Sequence, residues 1–130
     1  MRQRVSVVII ENKKLLLVRG KENFFSTPGG KIEEGETDKE AIIRELSEEL
    51  HIAPVDITPI ISYEAIIQGT DQNQTVKCFQ VTNYTGTLKP SKEISEVFWY
   101  SKDDYLQNTH KVPISIFTNL LPKLIEMNLL

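Results

Sequence analysis

GKIEEGETDKEAIIRELSEELHI, residues 30–52, is the stretch whose reading decides this chain. From Thr37 onward it reads as one helix. Thr37 is a hydroxyl N-cap, and Glu40 three residues later completes a capping box that satisfies two otherwise orphaned backbone N–H groups. At about 100° per residue, Ile42, Ile43, Leu46 and Leu50 fall on one apolar arc, and Glu45, Glu48 and Glu49 gather on the neighbouring one. One face is built to pack, and the other carries three like charges.

Like charges three and four residues apart on a helix cost a few tenths of a kcal/mol per pair. Lys39, Arg44 and the positive helix N-terminus are the nearby sources of opposing charge. Arg44 can pair with Glu40 or Glu48 at i,i+4 spacing but cannot neutralise three carboxylates. A hard divalent cation can, and convergent carboxylate oxygens suit Mg²⁺ or Mn²⁺ with positions left for water and substrate phosphates. For a bare E-x-x-E-E pattern the alternative is a solvated acidic helix face.

The surrounding residues favour the metal. With its lead-in Pro28-Gly29-Gly30-Lys31, the stretch resembles the signature of the MutT-like Nudix hydrolases: Gly, five residues, Glu, seven residues, then Arg-Glu-apolar-x-Glu-Glu-x-Gly-apolar. Gly30, Glu36, Arg44, Glu45, Leu46, Glu48, Glu49 and Ile52 occupy its defined positions in register. His51 stands where the family has Gly. A residue just past a helix often adopts the left-handed conformation, at a cost of about 1 kcal/mol for non-glycine residues, and His is among those enriched there. His51 is therefore read as a C-cap rather than a metal ligand, with Pro54 soon after preventing continuation of the helix. His51→Gly is expected to leave activity intact and to change stability modestly.

The rest of the chain sets bounds. Its 130 residues suit a single domain, 1–130, with one real core. A net charge of −3 offers no basic footprint for a nucleic-acid polymer. Cys78 is the only cysteine, so no internal disulfide is possible and a reducing compartment is expected. The apolar run near the N-terminus is too short for a signal segment and nothing reaches membrane-span length, so the expectation is a cytoplasmic protein.

In chain order, residues 4–10 and 15–19 are apolar runs across a short polar break and predict a hairpin. Loop 20–27 carries Phe24 and Phe25, which serve either as core or as an aromatic platform for a base. Residues 57–67 and 75–84 predict a second hairpin across a polar turn. Residues 114–127 have helical periodicity that Pro122 should kink or divide. Strands and helices interleave without regular βαβ alternation, which predicts a mixed sheet with helices on both faces.

The resemblance implies more than the residues alone do. It implies an α/β fold of the Nudix type, an α/β/α sandwich with a central mixed β-sheet, and a Mg²⁺-dependent hydrolase, Mn²⁺ being a substitute. The carbonyl of Gly30 becomes a candidate metal ligand. Glu93, six residues before Trp99, is a candidate additional metal ligand or base, with Glu96 as its rival. Glu48 and Glu49 are the first choices as ligands, and Glu45 is a further ligand or the general base. Arg44 orients a neighbouring glutamate, and Glu36 orients the loop and helix. The implied substrate is a nucleoside diphosphate linked to another group, foremost a nucleoside triphosphate, oxidised or not, cleaved to monophosphate and pyrophosphate. ADP-ribose, dinucleoside polyphosphates and sugar nucleotides stay open, as does a nucleotide-sensing module without turnover. Candidate base contacts are Phe24, Phe25, Tyr63, Phe79 and loop 70–74. A homodimer is a further expectation from the family.

Overall fold

Period-two alternation in the first two apolar runs builds both layers of the molecule. In the computed structural model, which describes residues 1–67, 69–108 and 112–130, strand β1 (Arg2–Val8) buries Val5 and Val7 on one side and Val8 on the other. Strand β3 (Lys14–Arg19) repeats the division, with Leu16 and Val18 facing one way and Leu15 and Leu17 the other. The first cluster is closed by Ala41, Ile42, Leu46 and Leu50 of helix α1 (Asp38–Leu50). Leu120, Leu121 and Leu124 from the C-terminal helical segment close the second. Helices therefore cover both faces of the strands, because β1 and β3 each contribute apolar residues to both clusters.

The strands form two sheets. One is mixed, in the order β4 (Gly29–Lys31), β1, β6 (Asn73–Thr85), β5 (Ala53–Ile66), with β1 parallel to β6 and the other pairs antiparallel. The other is antiparallel, in the order β2 (Ile10–Glu11), β3, β7 (Glu96–Tyr100). The expected hairpin of 4–10 with 15–19 is thereby corrected. Only Ile10 and Glu11 pair with Leu15 and Lys14, across a turn in which Asn12 and Lys13 both take positive φ (52° and 58°). The preceding residues instead pair along their length with β6, from Arg2↔Gln74 to Val8↔Gln80. A distant partner strand satisfies more backbone groups than a two-residue hairpin, and no local signal announces it.

The β5–β6 hairpin forms as expected. Pro54 and Pro59 are tolerated because β5 lies at the sheet edge, and the register shifts beside both of them. Pro122 does divide the terminal helix. A π-helical segment, Ile116–Leu120, precedes α3 (Leu121–Glu126), and Leu121 N–H reaches back to the Ile116 carbonyl. The Thr118 hydroxyl and Asn119 amide donate to the carbonyls of Ile114 and Ser115. Helix α2 (Lys102–Gln107) starts at a Ser101 capping box with Asp104. Ile43 departs from the expected apolar arc and is 42% exposed, since the helix turns its buried face toward Ala41 instead. Among the described residues no helix is long and apolar enough to cross a membrane.

Candidate active site

The site starts at the ends of α1. Thr37 accepts from Glu40 N–H and Glu40 accepts from Thr37 N–H, so the helix begins at a fixed point. It ends at His51, which takes the left-handed conformation (φ 60°, ψ 34°). The His51 ring does not face the acidic arc: its Nδ1 lies 2.6 Å from the Lys89 carbonyl oxygen. Lys89 N–H donates to Leu50 and Ser91 N–H to Glu49, so loop 86–91 is laced to the helix C-terminus. From the other side Ser95 donates through N–H and hydroxyl to the Arg19 carbonyl. Glu93 lies between these anchors and lines the main cleft. Its rival Glu96 is engaged with Arg19 at 2.7 Å.

Arg44 organises the acidic arc from below. Its Nε and Nη2 donate to the two oxygens of Glu36 at 2.7 and 3.0 Å, a fork-to-fork pair. Nη1 donates to Glu45 at 2.8 Å, and Nη2 also donates to the Lys31 carbonyl. This bonding holds the Glu36 carboxyl below the usual carboxylate range. Arg44 thus fixes Glu45 while Glu36 fixes Arg44. Glu48 projects outward, its side chain 59% exposed and 3.5 Å from Arg44.

Glycine is required twice at the edge of this arc. Gly29 has φ 134°, and a Cβ there would run into the Val5 carbonyl; its N–H donates to Glu49 Oε2 at 3.1 Å. A Cβ on Gly30 would sit 2.5 Å from Glu45 Oε1. The two glycines therefore let the β4 backbone press against the two carboxylates.

Glu49 has the Glu45 carboxyl as its side-chain neighbour. Burial, then that neighbour, pushes the Glu49 carboxyl upward from its ordinary value. Two half-buried carboxylates side by side at the edge of a cleft could hold a divalent cation. With Glu48 turned to solvent, no three His, Cys, Asp or Glu side chains among the described residues already converge on one point. Of the candidate ligands, Glu45 and Glu49 already stand together. Glu48 and Glu93 border the same cleft and Gly30 packs beneath it.

The cleft is about 700 Å³. The acidic arc forms one wall, and its floor is the face of the mixed sheet. Phe24 and Tyr63 line it. Phe25 and Phe79 do not: Phe25 is buried in the second cluster against Phe98, and Phe79 packs in the first cluster on the far face of the sheet. The Tyr63 hydroxyl lies against Cys78 and Ser115, and burial pushes its pKa above the ordinary tyrosine range. Gln74, at the end of the candidate loop 70–74, lines the cleft, and sequence reasoning missed Arg2, Arg4 and Ser6, which line it as well. The signal was present as a polar residue at every second position, 2, 4 and 6, opposite the apolar side of β1.

Comparisons with known proteins agree on the family and the fold. An uncharacterised Nudix hydrolase of Bacillus subtilis (strain 168), YvcI, is 28% identical over 116 residues, covering 85% of this chain and 73% of that protein. An 8-oxo-dGTP diphosphatase of Proteus vulgaris is 34% identical over 70 residues, 53% of this chain and 60% of that protein. The crystal structure of a MutT protein from Methanosarcina mazei Go1 superposes with a TM-score of 0.76 at 24% identity, covering 97% of this chain and 94% of that one. The family model described as the NUDIX domain matches residues 1–120. The chain belongs to the Nudix hydrolase family, whose members are characteristically pyrophosphohydrolases and generally use a divalent metal.

Proposed function

We infer that this chain hydrolyses the pyrophosphate linkage of a nucleoside triphosphate, ordinary or oxidised, to a monophosphate and pyrophosphate with Mg²⁺. The observation that carries the reading is a paired-carboxylate wall facing a cleft of about 700 Å³ whose floor combines Tyr63, Ala65 and Val76 with the polar Arg2, Arg4, Ser6 and Gln74. Such a cleft has room for a nucleotide. The partial similarity to an 8-oxo-dGTP diphosphatase supports the triphosphate choice.

Glu45, Glu48 and Glu49 would hold the cation, with the Gly30 carbonyl and Glu93 as further ligands. When bound, the metal neutralises phosphate oxygens and lowers the pKa of a coordinated water. The protein's own part is positional. Arg44, braced by Glu36, holds Glu45 toward the cleft as a ligand or as the base that takes the proton of the attacking water. The Gly29 N–H holds Glu49. Loop 86–91, tied to the helix end, sets the approach of Glu93.

The test is a Mg²⁺-dependent hydrolysis panel with identified products. It should cover ordinary and oxidised nucleoside triphosphates, ADP-ribose, dinucleoside polyphosphates and sugar nucleotides. Release of pyrophosphate and monophosphate from a triphosphate is expected. Preferred turnover of another class moves the substrate assignment. Nucleotide binding with no Mg²⁺-dependent product replaces the enzyme reading with a sensor.

A further inference from the structure

Two arginines border the acidic arc, and they are partnered unequally. Arg44 spends its donors on Glu36, Glu45 and the Lys31 carbonyl. Arg4 lines the cleft and, among the described residues, gives one hydrogen bond, from Nη2 to the Thr27 carbonyl at 3.2 Å. A guanidinium carries five N–H donors. Most of those on Arg4 have no acceptor among the described residues.

Its position is specific. In β1, Arg4 is registered beside Val76 of β6, which is registered beside Tyr63 of β5. Arg4 therefore begins a row that runs from the acidic wall across the cleft floor. Its titratable neighbours are the Glu49 and Glu45 carboxyls, the Tyr63 phenol and the like-charged Arg2 guanidinium. Burial depresses its pKa, and the two carboxylates are the charges that pull it back up.

Those carboxylates are the same ones proposed to hold the cation. Once they are committed to a divalent metal, a desolvated guanidinium keeps its charge and loses its compensation, a costly state unless another anion arrives. The fork geometry of Arg is suited to phosphate. We propose that Arg4 binds the phosphate on the nucleoside side of the scissile linkage, between the acidic wall and the Tyr63 floor. Metal and nucleotide are then taken up as a set, and Arg4 is a substrate-binding residue rather than a structural counter-charge. This rests on the pyrophosphohydrolase reading above.

The experiment is calorimetric titration of wild type, Arg4→Gln and Arg4→Lys, alongside steady-state kinetics on the substrate that the hydrolysis panel identifies. The probes are Mn²⁺ alone, inorganic pyrophosphate with Mg²⁺, and the nucleoside monophosphate product with Mg²⁺. Arg4→Gln should weaken monophosphate binding and raise KM by about tenfold or more, with kcat within about threefold. Mn²⁺ alone should bind as tightly as to wild type or more tightly, because a neighbouring positive charge is gone. Pyrophosphate affinity should change by less than about twofold. Arg4→Lys, which keeps the charge and loses the fork, should fall between, and it carries the test if Arg4→Gln does not fold. Monophosphate affinity and KM unchanged in a folded variant would make Arg4 a counter-charge only and overturn the proposal. Selective loss of pyrophosphate, or loss of Mn²⁺ binding, overturns it as well by moving Arg4 to the other phosphate or to the metal. A wild-type protein that hydrolyses no nucleotide sinks the underlying reading, whereas active wild type with an indifferent Arg4→Gln sinks this inference alone.

Discussion

The two walls of the cleft are built on opposite terms. On the Gly29–Leu50 side the groups that frame the acidic arc are bonded to one another within that same short stretch: Arg44 to Glu36 and Glu45, Gly29 to Glu49, Thr37 to Glu40. On the sheet side the cleft residues come from β1, β5 and β6, and several are incompletely satisfied. Arg4 makes a single hydrogen bond, and Gln74 Oε1 is buried without a partner among the described residues. The first wall is braced at Glu45 and Glu49, where little reorganisation remains when a cation and phosphate arrive, while Glu48 has still to turn in from solvent. The second is left open to be completed by a ligand. A locally braced wall suits chemistry common to a family, and an open wall suits recognition that differs between members.

The largest effect should come from removing charge from the braced wall. Glu48→Gln or Glu49→Gln is expected to lower turnover at least about a thousandfold while circular dichroism shows the fold intact. A folded double variant that keeps the wild-type rate removes both residues from the mechanism.

Next are the adjacent glycines, which should separate activity from stability. Gly30→Ala drives a methyl into the Glu45 carboxylate. It should cost about ten- to a hundredfold in rate with little change in Tm, because the displaced atoms end a flexible side chain. Gly29→Ala meets backbone at φ 134° and should cost more than about 2 kcal/mol of stability. Equal thermal stability of the two variants would contradict this division.

A smaller effect concerns pH. Without a divalent cation, the folded protein keeps the Glu49 proton above 4.5, the ordinary value at which the unfolded chain releases it. The folded state then binds more protons, so the stability associated with this group is full below 4.5 and declines as pH rises through the raised folded value. Urea midpoints in chelator at pH 5 and pH 8 should show wild type losing ground relative to Glu49→Gln, and Mg²⁺ should reverse the loss. A difference between the two proteins that is flat over that window speaks against the upward shift at Glu49.

The smallest effect is expected outside both walls. His51→Gly relieves left-handed strain and loses the tether to Lys89. The two nearly offset, leaving stability within about 1 kcal/mol and the rate unchanged. Loss of turnover in a folded His51→Gly protein would show that the tether to the Glu93 loop matters for chemistry.

The residues from Thr37 to His51 were legible because their structure is decided by neighbours in sequence. A capping box, a helical charge arc and a C-cap are all set within three or four residues. The β5–β6 hairpin was legible for a similar reason, as two β-rich runs flanking a polar turn. The exposure of Ile43 was not, because which side of an apolar arc is buried depends on what packs there.

What the sequence by itself determined is the acidic helix, its entry and exit, and the motif that places the chain in its family, since local hydrogen bonding and helical periodicity suffice for these. Only the tertiary structure decided that β1 leaves its neighbour to run parallel to β6, and that Arg4, Tyr63 and Gln74 therefore share a cleft with Glu49. It also decided that Phe25 and Phe79 fall outside that cleft. Strand pairing between distant segments is chosen by the burial of whole faces at once, and no window of residues contains that information.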